Sequence, residues 1–490
     1  MPARTRRTAA RTGARTGART AARTAARTVV GTFGPIENVF SFRTMDPANK
    51  EVRYMVVRAD DGVTGVVEGA GDGGSARPVC PVHVLDRTLF QDPHPEYARL
   101  RAEAPVSWDE EVPIWVVAKH ADVSNVSLHA DLFCSGKGIR PRQSVDLSLV
   151  SLDGERHVTQ RRLINQGFSP RMIRLMEPRV REVVTQTLDA IAGRGACDFV
   201  ADIAVPIPLV VIAELMGLPV EDRERFWHWS DRMMGGDGRE DDDDPMLLDA
   251  AAAFGEYVEY LSTIIDERRA AYRAAKAANG GGKTDPAGDD LISVLVAAAE
   301  ESVLVSDEEL TKDELTMFLV VAVIAGNETT RNAISGGMLA FSRFPGEWKK
   351  LVAEPSLAAP AADEVVRYVT PVISFARTAT RDTELGGQSI AEDEKVLLLY
   401  QSANRDEDVF DDPDTFRIDR TPNPHLGFGV GPHVCLGINL AKLEIRVVLE
   451  ELARRFPDMA VVPGTEVHYG DSTLVHSLET LPVTYTPETI

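Results

Sequence analysis

Apolar residues recur at spacings of three and four over long stretches after about residue 81, the period of helices with one buried face. The clearest set is Leu440, Leu443, Val447, Val448 and Leu452. Short apolar pieces between the helical stretches, Ile114 to Val117 and Lys395 to Tyr400, read as strands. Two Gly- and Asp-rich breaks, MMGGDGREDDDDP at 233–245 and NGGGKTDP at 279–286, predict loops. Ser306 to Glu309 has the spacing of a capping box. It predicts a helix over about 307–342, roughly 50 Å long at ~1.5 Å per residue. The middle of that helix, Leu319 to Ala325, is apolar on every face and is expected to be buried.

The first 80 residues lack such patterning. Residues 1–28 are a degenerate Ala-Arg-Thr repeat with eight arginines and no acid, and residues 29–80 are Gly-rich. Neither carries the apolar content of a core, so residues 1–80 read as a poorly ordered extension and 81–490 as the folded domain. The 490 residues are 44% hydrophobic and 26% charged, an ordinary globular composition. Net charge is −22, and without the N-terminal arginines the rest is more acidic still, which argues against nucleic acid as a partner. No apolar run reaches the ~18 residues of a spanning helix, so no integral membrane association is expected. The four cysteines, Cys80, Cys134, Cys197 and Cys435, fit neither a disulfide framework nor a zinc site. A cytoplasmic location is the simplest expectation.

Chemistry concentrates in a few places. Around Cys435 the chain reads HLGFGVGPHVCLGINLAKLEIRVVLEEL, with the predicted helix following the cysteine. A helix N-terminus stabilises a thiolate, the form that binds metal. Gly429, Gly431 and Gly437 let backbone pass close to a flat ligand and aim N–H groups at sulfur. A buried structural cysteine would be the reading of an isolated Cys, but not of one in this setting. Within the long helix, Gly326-Asn327-Glu328-Thr329-Thr330 inserts a carboxylate and two hydroxyls into an apolar stretch. A buried carboxylate is expensive unless paired or used. The alternatives are a kinked core helix with Glu328 paired to a base, and an acid–alcohol proton relay.

FGVGPHVCLG resembles the haem-binding loop of the cytochrome P450 family, and AGNETT resembles that family's acid–alcohol motif. The resemblance covers about residues 85–490. It implies a mostly helical α+β fold with a large helical lobe and a smaller β-rich lobe. It implies haem b with Cys435 as axial iron ligand, and relay roles for Glu328 and Thr329. His157, Arg161, Arg377 and His433 stand where the family binds the haem propionates. Glu364 and Arg367 match the family's structural E-x-x-R pair, with Arg420 the first candidate for its downstream arginine and Arg417 the second. One departure is DGERH before His157, where many relatives carry DPPEH; it leaves the local turn open.

The implied activity is monooxygenation: one oxygen atom of O2 enters an apolar substrate as a hydroxyl. The chain has no flavin fingerprint and no iron–sulfur cysteine cluster. Electrons are therefore expected from a separate ferredoxin and its NAD(P)H-dependent reductase. IAGNETTRNAISGG and SANRDEDVFDDPDTF look similar to actinobacterial hydroxylases of sterols and methyl-branched lipids. Val321, Ala325, Val372, Ile373, Leu474 and Val475 are the expected pocket residues. Tailoring of a polyketide or terpenoid is the alternative substrate reading, and a non-catalytic haem sensor is the alternative of another class.

Overall fold

The structure is a computed structural model that describes residues 40–45, 52–57 and 77–488, apart from 142–147, 166, 237, 238, 240–242, 282, 283, 286, 287, 303–310 and 471. The chain divides into two units, residues 1–74 and 75–490. In the first, Phe40–Met45 and Val52–Val57 pair antiparallel. The Arg/Thr repeat lies outside the described residues.

The second unit holds a five-stranded sheet and a large helical lobe. In chain order the strands are β1 (Val106–Asp109), β2 (Ile114–Val117), β3 (Phe133–Cys134), β4 (Ser374–Ala379) and β5 (Lys395–Leu399). Their spatial order is β1-β2-β5-β4-β3. β2 and β5 run parallel, and the other neighbours are antiparallel. Every residue of β2 is buried, and β5 is buried after Lys395. Strands covered on both faces read as continuous apolar runs, which is why these two were visible in the sequence. Tyr400, read as the end of a strand, instead opens the short helical turn Tyr400–Ala403.

Six helices position the site: α1 (Gly154–Ile164), α2 (Arg223–Gly235), α3 (Pro245–Ala278), α4 (Lys312–Arg343), α5 (Ala358–Val369) and α6 (Ile438–Arg455). One core runs from Ile164 through Leu315 and Val365 to Leu443, Val447, Val448 and Leu452, so the apolar spacing after Cys435 does mark the buried face of α6. The loop read at 233–245 is shorter than expected. α2 continues to Gly235, and the end of the acidic run caps α3, where the Asp244 carboxylate accepts from Met246 N–H at 2.8 Å.

The start of α4 corrects the sequence reading. Ser306 to Glu309 lies outside the described residues, and the helix begins at Lys312. Thr311 is its cap: its hydroxyl accepts from Glu314 N–H at 3.1 Å, while the Glu314 carboxylate accepts from Thr311 N–H at 3.0 Å. Thr311-Lys-Asp-Glu314 repeats the same pattern five residues downstream, and Gln160 and Arg156 of α1 anchor Glu314 from outside. The tertiary anchor decides between two locally equivalent caps.

Glu364 and Arg367 of α5 are both fully buried and pair at 2.7 Å. Arg420 reaches the same carboxylate at 3.1 Å, as expected, whereas Arg417 contributes only its backbone N–H, at 2.9 Å. Arg367 also donates to the carbonyls of Asn404 and Pro413, at 2.8 and 2.9 Å. This buried knot pins the segment leading to the Cys435 loop onto α5.

Candidate active site

The Cys435 loop closes on itself, with Cys435 N–H donating to the Phe428 carbonyl at 2.8 Å. The turn needs left-handed backbone at Gly429 (φ 65°) and Gly431 (φ 81°). A side chain at Gly431 would also place its Cβ 2.5 Å from the Ser127 carbonyl. α6 begins at Ile438, so the cysteine stands just before a helix N-terminus. Burial pushes the Cys435 thiol up, while the Gly437 N–H and the Arg161 guanidinium pull it down. The thiolate therefore has two stabilisers already in place.

Cys435 borders a cavity of about 260 Å³, whose wall also includes Arg161, Arg377, His433, Thr329 and Thr330. Among the described residues, the acidic and basic side chains on this wall are Arg161, Arg377, His433 and Glu444, and burial raises the Glu444 pKa well above the ordinary value. The distal part is apolar, with Phe168, Ile212, Phe318, Val321, Val372 and Phe375. Three expected pocket residues stand behind it instead. Ile373 and Val475 are buried in the core, and Ile373 N–H donates to the Leu474 carbonyl at 2.9 Å, so backbone pairing takes these side chains off the wall. The stretch Leu319 to Ala325 is likewise not buried all round: Val321, Ala322 and Ala325 face the cavity.

The residues read as propionate partners converge from three elements. Arg161 lies on α1 and donates to the Val434 carbonyl beside the cysteine. Arg377, on β4, is 4% exposed, and its guanidinium donates to the Ala376 carbonyl at 2.8 Å. The rings of His157 and His433 lie 4.2 Å apart at 31°. His157 Nε2 is buried without a hydrogen-bond partner, and burial holds its pKa down to about 4. His433 Nε2 faces Asp153 at 3.4 Å and Ser135 Oγ at 3.2 Å. Asp153 also accepts from Ser135 N–H at 3.0 Å and Gly136 N–H at 2.5 Å. Gly154 takes φ 63° directly after it, and α1 then carries His157 and Arg161 inward. That is how DGERH makes the turn without proline.

On α4 the acid and the alcohol face different ways. Thr329 lines the cavity and donates its hydroxyl proton to the Ala325 carbonyl at 2.7 Å. Glu328 is 2% exposed and stands off the wall. Its carboxylate pairs with Arg331 at 2.6 Å and accepts from Ser230 Oγ of α2 at 2.9 Å. Burial raises its pKa, and Arg331 and Ser230 lower it in part. Gly326 lets Ile212 approach, since a Cβ there would lie 3.3 Å from Ile212 Cδ1.

Asp153, Ser135, Ser230 and Thr330 were not found from the sequence. Thr330 could have been, as the second hydroxyl of the same motif. The others meet their partners from distant segments.

A profile of the family described as cytochrome P450 matches residues 243–483. A steroid C26-monooxygenase of Mycolicibacterium smegmatis is 37% identical over 406 residues, 78% of this chain and 89% of that protein. The chain belongs to the cytochrome P450 family. A second P450, a methyl-branched lipid omega-hydroxylase of Mycobacterium bovis, is 36% identical over 410 residues, 79% of this chain and 90% of that one. The structure of the P450 CYP109E1 from Bacillus megaterium in complex with testosterone superposes with TM-score 0.71 at 32% identity, covering 81% of this chain and 99% of that one.

The chain is therefore a haem-dependent P450 monooxygenase, an oxidoreductase with haem b as its cofactor. Its cavity suits that group: a thiol stabilised by the Gly437 N–H and Arg161, and a buried guanidinium, Arg377, and His433 on the same wall, with His157 packed against the His433 ring. Among the described residues, no helix is long and apolar enough to cross a membrane.

Proposed function

We propose that this P450 hydroxylates a sterol or methyl-branched lipid, inserting one oxygen atom of O2, with electrons delivered by a separate ferredoxin and its NAD(P)H-dependent reductase. The observation that carries the reading is that Cys435 and Thr329, on separate elements, border one cavity whose remaining distal wall is apolar. The relatives named for steroid and branched-lipid oxidation support the substrate class.

In this reading Cys435 would hold the haem iron, and Arg161, Arg377, His433 and His157 would take its propionates. When bound, the haem supplies the iron at which dioxygen is activated. The Cys435 thiolate would be the donor to that metal, and the Gly437 N–H and Arg161 moderate its charge. Thr329, whose proton is engaged by the Ala325 carbonyl, presents its oxygen to the cavity as an acceptor. Glu328 holds the proton reserve one residue away, its affinity raised by burial. The apolar wall orients the hydrocarbon and excludes water, keeping protons on the hydroxyl route.

The test is a spectral-shift screen of the holoenzyme with sterols bearing an intact side chain, methyl-branched fatty acids and macrolides, followed by product analysis with a ferredoxin system. Micromolar shifts and hydroxylated product with sterols or branched lipids are expected. Shifts with macrolides alone would overturn the substrate assignment.

A further inference from the structure

Within the acid–alcohol segment, the carboxylate rather than the alcohol reaches out of its own helix. Two of the side chains around the Glu328 carboxylate, Arg331 and Asn327, belong to α4 and move with it, at 2.6 and 3.3 Å. Among the described residues, the remaining hydrogen bond to that carboxylate comes from Ser230, on α2, at 2.9 Å. Ser230 is 1% exposed and Glu328 2%, so this bond is made in a desolvated setting where water does not readily replace it.

We propose that Ser230 is a positioning residue for Glu328: through this one hydroxyl, α2 holds the carboxylate off the cavity and sets how readily it takes and releases its proton. The inference rests on the relay reading above.

The chemistry follows from donor geometry. A hydroxyl donating to a carboxylate stabilises the charged form, and charge-assisted bonds of this kind are the strong ones. The groups acting on Glu328 are Arg331 and Asn327 from α4, and Ser230 and Asp231 from α2. Burial and Asp231 favour the protonated acid, and Arg331 and Ser230 favour the carboxylate. α2 thus contributes one group of each sense, and Ser230 is the one in contact. Because the serine oxygen both donates and accepts, it can donate to the carboxylate once Glu328 has released its proton and accept from the carboxylic acid when the proton returns, so the pair stays hydrogen-bonded in both states.

The test reads the carboxyl group directly, by infrared titration of the holoenzyme, with the protonated Glu328 band assigned by its loss in Glu328→Gln. Ser230→Ala is expected to shift the band and raise its titration midpoint by about one pH unit, a tenfold gain in proton affinity. Ser230→Thr, which keeps the hydroxyl, is expected to restore most of the shift. In turnover, Ser230→Ala should enlarge the solvent isotope effect on oxygen consumption, which a merely structural loss would not do. An unchanged band and midpoint in Ser230→Ala would overturn the inference. Unchanged coupling in Glu328→Gln would instead overturn the relay reading, and the infrared result would still decide the Ser230 bond.

Discussion

Thr329 and Glu328 adjoin in sequence yet serve separate surroundings, one the cavity and one the interior between α4 and α2. Replacing Thr329 by Ala removes the only hydroxyl that the motif reading assigns to the relay while leaving the acid in place. Product yield per electron pair should fall at least about tenfold, since a positioned proton-transfer group typically contributes about a hundredfold or more, and peroxide should rise to match. The ratio of peroxide to NADPH consumed checks this. His157 gives a pH prediction. Its folded value of about 4 lies below the ordinary 6.5, so the unfolded chain binds the extra proton first. Stability of the haem-free protein should therefore fall as pH drops from about 6.5 to 4, by on the order of 2 kcal/mol. Denaturant unfolding at several pH values measures it, and His157→Gln should remove that part of the slope, leaving the part that His94, His433 and His476 contribute. Cys435, His433 and Thr329 were legible because their signals are local: glycines around a cysteine, hydroxyls in an apolar helix. Asp153 and Ser230 were not, because their meaning lies in partners 280 and 98 residues away.

At the level of elements, α5 and the segment after it form a unit that sequence spacing outlined and burial explains. Glu364 receives Arg367, Arg420, the Arg417 N–H and Asn423 Nδ2 in the interior. Glu364→Ala leaves two buried guanidiniums without their carboxylate and should destabilise the fold by about 3–5 kcal/mol. Arg417→Ala keeps the backbone bond and should cost no more than about 0.5 kcal/mol. Parallel urea titrations distinguish the two, and similar losses would contradict the assignment of Arg420 as the third member. The same logic explains the misplaced start of α4. Two capping patterns lie five residues apart, and the contact of Glu314 with α1 favours the second. Local spacing does not carry that information.

For the whole molecule, helical lobe and sheet meet around one cavity, and on the proposed assignment of its residues a bound haem would couple them. Arg377 comes from β4, His157 and Arg161 from α1, and Cys435 from the loop before α6. A ligand that binds only the folded state and stands a thousandfold above its dissociation constant adds about 4 kcal/mol. Haem-free protein should thus melt several degrees below the holoenzyme, with the greatest added hydrogen exchange along α1 and the Cys435 loop. Cys435→Ser should retain some haem but lose the thiolate-type spectrum of the reduced carbon monoxide complex. An unaltered spectrum would remove Cys435 as the ligand. The fold class was readable because Cys435, the AGNETT segment and the E-x-x-R pair occur in family order. The substrate wall was only half readable, since Val321 and Val372 face the cavity while Ile373 and Val475 turn into the core.

The division of that wall has a practical side. Side chains poised for the prosthetic group sit on a strand paired on both edges, on a helix tied to α4 by Glu314, and on a loop closed by its own backbone. The hydrocarbon-facing side chains Phe168, Ile212 and Val372 come from other segments. Libraries that vary those three positions can search for new substrates while the metal centre is inherited unchanged, so laboratory evolution of selectivity in this enzyme need not begin by repairing its catalyst.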